Sequence, residues 1–481
     1  MFIKQIVLLV EQVEGLLDES KHQEAVRLIE QALELFMRKP KRYQQQVEHS
    51  LQSVTARCTT PAEYRQAESL WMRVIAINER WYGANAVELV PGLNALAEIN
   101  YKMKCYMFTA LFYRLSHTIQ MESKNKDYPT FVYTLYQLCE IGRRFGSFNS
   151  TTIYRRALAL AFRHCPDSPV LPSLWLGLGR KYVVFRDSGE RAKAKKCFGK
   201  ALSSAKKKYG PISAVGAKAN VDLGDLYVQE GEFGRAMDLY RTALKMEEVM
   251  YGENAYQSWR THKCIAECFA VQFELHDAEK HYGIALNLAE QTPELDEGAI
   301  TELAGNHARI CAALGKTNKA VSLYEHALAN REGARSSTSH LDHPKYKLEL
   351  AHLYRATGQI DQALYTFKSL FHDSPPMVLP LPEHYQGLVD MANLYLAQNQ
   401  LSIAEELFKT AIVCGKSRRD RRLNCRKRAF STEDHLRLAE VLESIAGIYE
   451  KSRRPKQARE AKKEAQVIRA NPASPGDEFN C

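Results

Sequence analysis

Apolar positions recur at spacings of three and four along most of the 481-residue chain, the period of helices that bury one face. No stretch sustains the alternation that predicts a strand. Over this short period lies a longer one. A large side chain stands at Ile29, Trp71, Tyr113, Tyr154, Phe198, Tyr240, Tyr282, Tyr324, Phe367 and Phe408, at steps of 41 to 44 residues. Four residues before these positions the column reads mostly Ala, as at Ala67, Ala194, Ala236, Ala278, Ala320, Ala363 and Ala404; three residues after, it reads mostly Ala again, as at Ala157, Ala201, Ala243, Ala285, Ala327 and Ala411. Small, large and small at spacings of four and three share one helix face. A neighbouring backbone can approach the small residues while the ring fills the adjacent gap.

A second helix precedes this one in each unit. In "NVDLGDLYVQEGEFGRAMDLYRTAL" an apolar strip of Leu223, Gly224 and Tyr227 is followed by a turn at Gly231, where a left-handed helix end costs glycine nothing. Similar turns are predicted at Gly315, Gly358 and Asn399. Three Tyr-Gly pairs, Tyr82-Gly83, Tyr209-Gly210 and Tyr251-Gly252, fall between hairpins. Their glycines should turn one hairpin into the next, with each tyrosine covering the helix end before it.

The pattern resembles the tetratricopeptide repeat, in which Gly or Ala and then Tyr in a first helix precede Ala, aromatic and Ala in a second. Gly224, Tyr227, Ala236, Tyr240 and Ala243 match it, as do Ala266, Phe269, Ala278, Tyr282 and Ala285, and Ala392, Tyr395, Ala404, Phe408 and Ala411. The family period is roughly 34 residues; the longer step here, with His343-Pro344 in one loop, resembles the kinesin-light-chain type. The resemblance implies an all-α fold over 1–470, an α-solenoid forming a right-handed superhelix of about eleven antiparallel helical hairpins. A motor role is not expected, since no heptad coiled coil of the kind used to join the motor subunit is read in this sequence.

The resemblance also implies that the first helices line a concave groove. By register, Asn94, Lys218, Asp222, Arg260, Lys263, Arg309, Lys345, His352, Gln386 and Asn393 are the candidate partner-binding residues, with Glu98, Asp225, Glu267, Asn306, Glu349 and Asp390 beside them. Long polar side chains spread over several hairpins suit an extended peptide, whose amides and charges need partners along the groove. Any solenoid also has a solvated face of this kind. Lys218, Lys263 and Lys345 lack the matching asparagines of the carboxylate clamp that chaperone-binding members use.

Three places break the rhythm. Prolines in 165–172 and 372–384 are expected to act as rigid connectors between hairpins, with a recognition loop as the alternative. The step from Phe408 to Lys462 is longer by about twelve residues and carries "KSRRDRRLNCRKR", expected as a basic inter-repeat loop over 416–430. Arg418, Arg419, Arg421, Arg422, Arg426, Lys427 and Arg428 lie in it. Two readings of the loop stay open: a solvated linker, or an anion-binding or nuclear-import element. No aromatic is interleaved for base stacking. Residues 431–470 are expected to cap the array, with Lys462 in place of the aromatic as a polar outer face, and 471–481 to be a disordered tail.

Charge and cysteine usage narrow the function. Residues 416–428 supply +7 of the net +10, so basicity is local. Eleven scattered cysteines suit buried thiols rather than a disulfide framework. No signal peptide or membrane span is expected, and the location expected is cytoplasmic, with nuclear entry through the basic loop as the alternative. No phosphate loop, HExxH or GxSxG is present, and no enzyme or cofactor is expected. His262, Cys264, Cys268 and His281 are the densest metal-like group, but Cys268 falls in the packing strip and no metal is expected. The function expected is a protein-interaction scaffold or adaptor, binding a peptide or helical segment of a partner in the groove. The alternative is a regulatory or nucleic-acid-associated repeat protein acting through 416–428.

Overall fold

A computed structural model describes residues 12–13, 16, 21–36, 40–124, 126–145, 150–184, 188–253, 255–292, 295, 297–329, 343–373, 382–424 and 432–470. Its described residues form helices and turns without a strand: the fold is an all-α solenoid of helical hairpins. The helix His22–Phe36 is followed by ten hairpins. In order they are Pro40–Ala56 with Pro61–Tyr82, Val90–Lys102 with Tyr106–Glu122, Tyr128–Phe145 with Ser150–His164, Leu171–Val183 with Ser188–Tyr209, and Ala214–Gln229 with Phe233–Tyr251. Then come Trp259–Val271 with Leu275–Glu290, Glu297–Ala313 with Thr317–Ala329, His343–Ala356 with Ile360–Asp373, Pro382–Ala397 with Leu401–Asn424, and Thr432–Lys451 with Pro455–Ala470. The chain divides into two compact units, Met1–Met250 and Tyr251–Cys481.

Within each unit, the hairpins up to Leu401–Asn424 close on the columns seen in the sequence. Trp71, Tyr113, Tyr154, Phe198 and Tyr240 are buried in the first unit, and Tyr282, Tyr324, Phe367 and Phe408 in the second. The flanking alanines are buried beside them. Gly224 shows why the first helix needs a small residue: a Cβ there would lie 2.5 Å from Tyr240 Cε1, inside van der Waals contact. The same close approach joins Gly179 to Phe198.

The turns inside the hairpins share one geometry. At Gly231 φ is 79°, and the Glu232 N–H donates back to the Tyr227 carbonyl at 2.9 Å. Gly315, Gly358 and Asn399 repeat the positive φ, as predicted. Lys104, Phe273 and Arg453 adopt it too, at φ 62°, 62° and 57°. These three carry no glycine signal, so the sequence did not mark them. The Tyr-Gly glycines between hairpins have φ 98°, 86° and 90° at Gly83, Gly210 and Gly252. Beside Gly210, the Tyr209 hydroxyl donates to the Pro169 carbonyl at 2.5 Å, tying the helix end to the preceding loop.

The basic stretch departs from expectation. Leu401–Asn424 is one continuous helix, so residues 416–424 are helical rather than loop. Residues 425–430, with Arg426, Lys427 and Arg428, and the tail 471–481 lie outside the described residues. Asp420 is the one acidic residue among 416–424, and lysine and arginine favour helix well enough to extend the preceding apolar turn. In the last hairpin Lys462 is exposed and its ammonium pairs with Glu450 at 2.6 Å.

Candidate partner-binding face

The polar residues of the first helices reach one another across neighbouring hairpins. In the Tyr251–Cys481 unit, Lys263 Nζ pairs with Glu302 at 2.6 Å and with Glu267 at 3.6 Å. One hairpin further, Arg309 Nε pairs with Glu349 at 3.3 Å and its Nη1 donates to Asn306. In the next, Asp390 accepts from Arg355 at 3.1 Å, lies 2.8 Å from His352 Nε2, and accepts from Gln386 at 3.0 Å. Acid and base therefore alternate as rungs between successive first helices.

The Met1–Met250 unit carries rungs of its own. Arg180 Nε meets Asp222 at 2.5 Å, the Tyr133 hydroxyl donates to Glu98 at 2.6 Å, and Asn94 donates to Thr134 at 3.2 Å. Asn94 and Asp222 are buried in these contacts. There they pack between hairpins, at positions that the register makes candidate partner-binding residues of the groove. The Tyr240 hydroxyl donates to Asp225 at 2.8 Å, so that carboxylate anchors the column aromatic.

The rungs are electrostatically tuned. Burial pulls the Lys263 ammonium down, but Glu267 and Glu302 outweigh it and hold its pKa above the ordinary value. At Arg309 burial is likewise outweighed, chiefly by Glu349. Burial would raise Asp390, but its hydrogen bonds to His352 and Gln386 keep it below the usual carboxylate range. Of the remaining predicted residues, Lys218 and Asn393 are exposed, and Arg260 and Lys345 are half-buried.

Sequence reasoning missed Arg180, Glu302 and Arg355. The signal was present: Arg180 and Asp222 are 42 residues apart, and Lys263 and Glu302 39 apart, close to the repeat period. An opposite charge one period away is a candidate rung.

The metal-like group divides differently from expectation. His262 and His281 meet, with Nδ1 atoms 3.0 Å apart, and burial followed by His281 depresses His262 to about 4. Cys264 and Cys268 are buried. Among the described residues, the group of three donors that converges is instead Glu279, His307 and Cys311. No helix among them is long and apolar enough to cross a membrane.

Stacked helical hairpins with small-aromatic-small packing and a polar face of cross-hairpin rungs define the α-solenoid class of repeat protein. Residues 183–251 match the tetratricopeptide repeat family model. Similar solved structures include BtubC (BKLC) from P. vanneervenii, 15% identical over 58% of this chain and 95% of that one, at a TM-score of 0.30. The human IFIT1 dimer with PPP-AAAA is 14% identical over 95% of this chain and 89% of that one, at 0.46. A Rap protein complexed with Competence and Sporulation Factor is 12% identical over 81% and 99%, at 0.42. No curated protein matches the chain.

Proposed function

We propose that the chain is a non-catalytic scaffold or adaptor that holds a peptide or helical segment of a partner protein along its first helices. The observation that carries this reading is the ladder of Lys263–Glu302, Arg309–Glu349 and His352/Arg355–Asp390. A partly solvated ion pair is worth roughly 0–1 kcal/mol, so a rung opens at little cost when a partner offers a carboxylate, an ammonium or a backbone amide. Each rung also holds its neighbour's side chain in place before binding, which lowers the ordering entropy that association must overcome.

The alternation of sign favours a peptide over nucleic acid. A phosphate backbone asks for a stripe of one charge, whereas each cation of this ladder has a carboxylate beside it. Lys345 and Asn393 supply further polar groups on the same first helices.

Affinity capture with the full chain, repeated with Lys345→Glu and Arg309→Glu, tests the reading. The expected result is that the main protein partner is lost or weakened at least tenfold, about 1.4 kcal/mol, by one of the reversals. If every captured partner tolerates both, and folding is intact, the assignment to this face is wrong.

A further inference from the structure

A cluster of three donor side chains lies inside the Tyr251–Cys481 unit. The helix Glu297–Ala313 puts His307 and Cys311 one turn apart on the same side. Glu279 comes from the preceding helix, Leu275–Glu290. One donor atom from each residue lies within 4.8 Å of the other two. All three side chains are buried.

His307 is the anomaly. It is 3% exposed, and neither ring nitrogen has a hydrogen-bond partner. A buried polar atom left unpaired costs about 1–3 kcal/mol, so an imidazole bare at both nitrogens needs an explanation. Residue 283, beside the ring, is glycine; a Cβ there would stand 3.5 Å from His307 Cε1. Burial, then Lys319, hold the ring's pKa down at about 4, so it is neutral and able to ligate at neutral pH.

The geometry points to a site for one borderline-soft divalent cation of the zinc type, held by the Glu279 carboxylate, a His307 ring nitrogen and the Cys311 thiolate. One nitrogen, one sulfur and one oxygen suit zinc better than magnesium or calcium, which take oxygen. Bonds of about 2.0–2.3 Å place tetrahedral donors roughly 3.3–3.8 Å apart, so side-chain rotation closes the present spacing. Three protein ligands leave a fourth position for water.

Two lysines shape the binding step. Lys316 and Lys319 hold Glu279 at 2.5 and 2.8 Å, and both are about half exposed. They compensate the carboxylate when no ion is bound and swing to solvent when the dication takes it over. Cys311 Sγ lies 3.8 Å from Glu279 Oε1, and burial pushes the thiol up to about 11. Cation binding therefore forms the metal–sulfur bond, breaks the S–H bond and releases one proton to solvent.

Cobalt(II) titration of the full, chelator-treated chain tests this, with pH-stat recording of proton release. The expected result is a thiolate-to-cobalt charge-transfer band that saturates at one equivalent, with one proton released, and that zinc bleaches. Cys311→Ser and His307→Ala should abolish the band, while Cys105→Ser, at an exposed cysteine of the other unit, should keep it. Zinc should also raise the unfolding temperature of the parent and not of Cys311→Ser. No band in the natural chain, or one that survives Cys311→Ser, overturns the site.

Discussion

At Phe273 the backbone adopts φ 62° while the side chain is 86% exposed, so the ring gains little from burial and the turn carries the strain of a left-handed residue. That conformation costs an L-residue about 1–2 kcal/mol, and glycine escapes it. Phe273→Gly should therefore raise stability by about 1 kcal/mol, read as a higher urea midpoint with unchanged slope. Glu48 is a different case: buried, it accepts from Gln44 at 2.9 Å and Asn78 at 3.2 Å, and burial lifts its pKa to about 7, with Glu88 adding to the lift. A carboxyl raised in the folded state binds more protons there than when unfolded. Stability then falls as pH rises from about 4.5 to about 7, by roughly 3 kcal/mol. Glu48→Gln should remove that fall, and its amide can donate to Asn78 Oδ1, which is buried and unpaired. Denaturation of both proteins from pH 5 to 8 checks it; parallel pH curves would contradict the assignment.

The hairpin is the element in which most of the fold was legible. Small residues at fixed offsets from an aromatic announced a close helix contact, and each described member of those columns is buried. Gly224→Ala tests the contact: the added Cβ meets the Tyr240 ring, whose hydroxyl is tied to Asp225. It should destabilise by about 1–3 kcal/mol. Gly199→Ala, in the middle of Ser188–Tyr209 with nothing within 4 Å, should stabilise by up to about 1 kcal/mol. Thermal melts of the two variants should move in opposite directions. Other features escaped the reading for physical reasons. Phe273 has no local signal for a left-handed turn, because the closing N–H of Glu274 to the Phe269 carbonyl imposes it. The continuation of Leu401–Asn424 into the basic stretch reflects helix propensity outlasting the apolar pattern. The burial of Asn94 and Asp222 was not legible because polarity alone does not say whether a partner side chain waits one repeat away.

For the whole molecule, the repeat makes structure a matter of neighbours: each hairpin packs against those beside it in its unit. The function proposed rests on the first helices forming the working face, and the second helices the supporting one. A photo-crosslinking residue placed singly at Lys345 or Asn393, on first helices, or at Lys280 or Lys368, on exposed positions of second helices, separates the two. With the partner recovered by affinity capture, the account predicts covalent adducts from Lys345 and Asn393 and none from Lys280 and Lys368. Adducts from the second helices alone would contradict it.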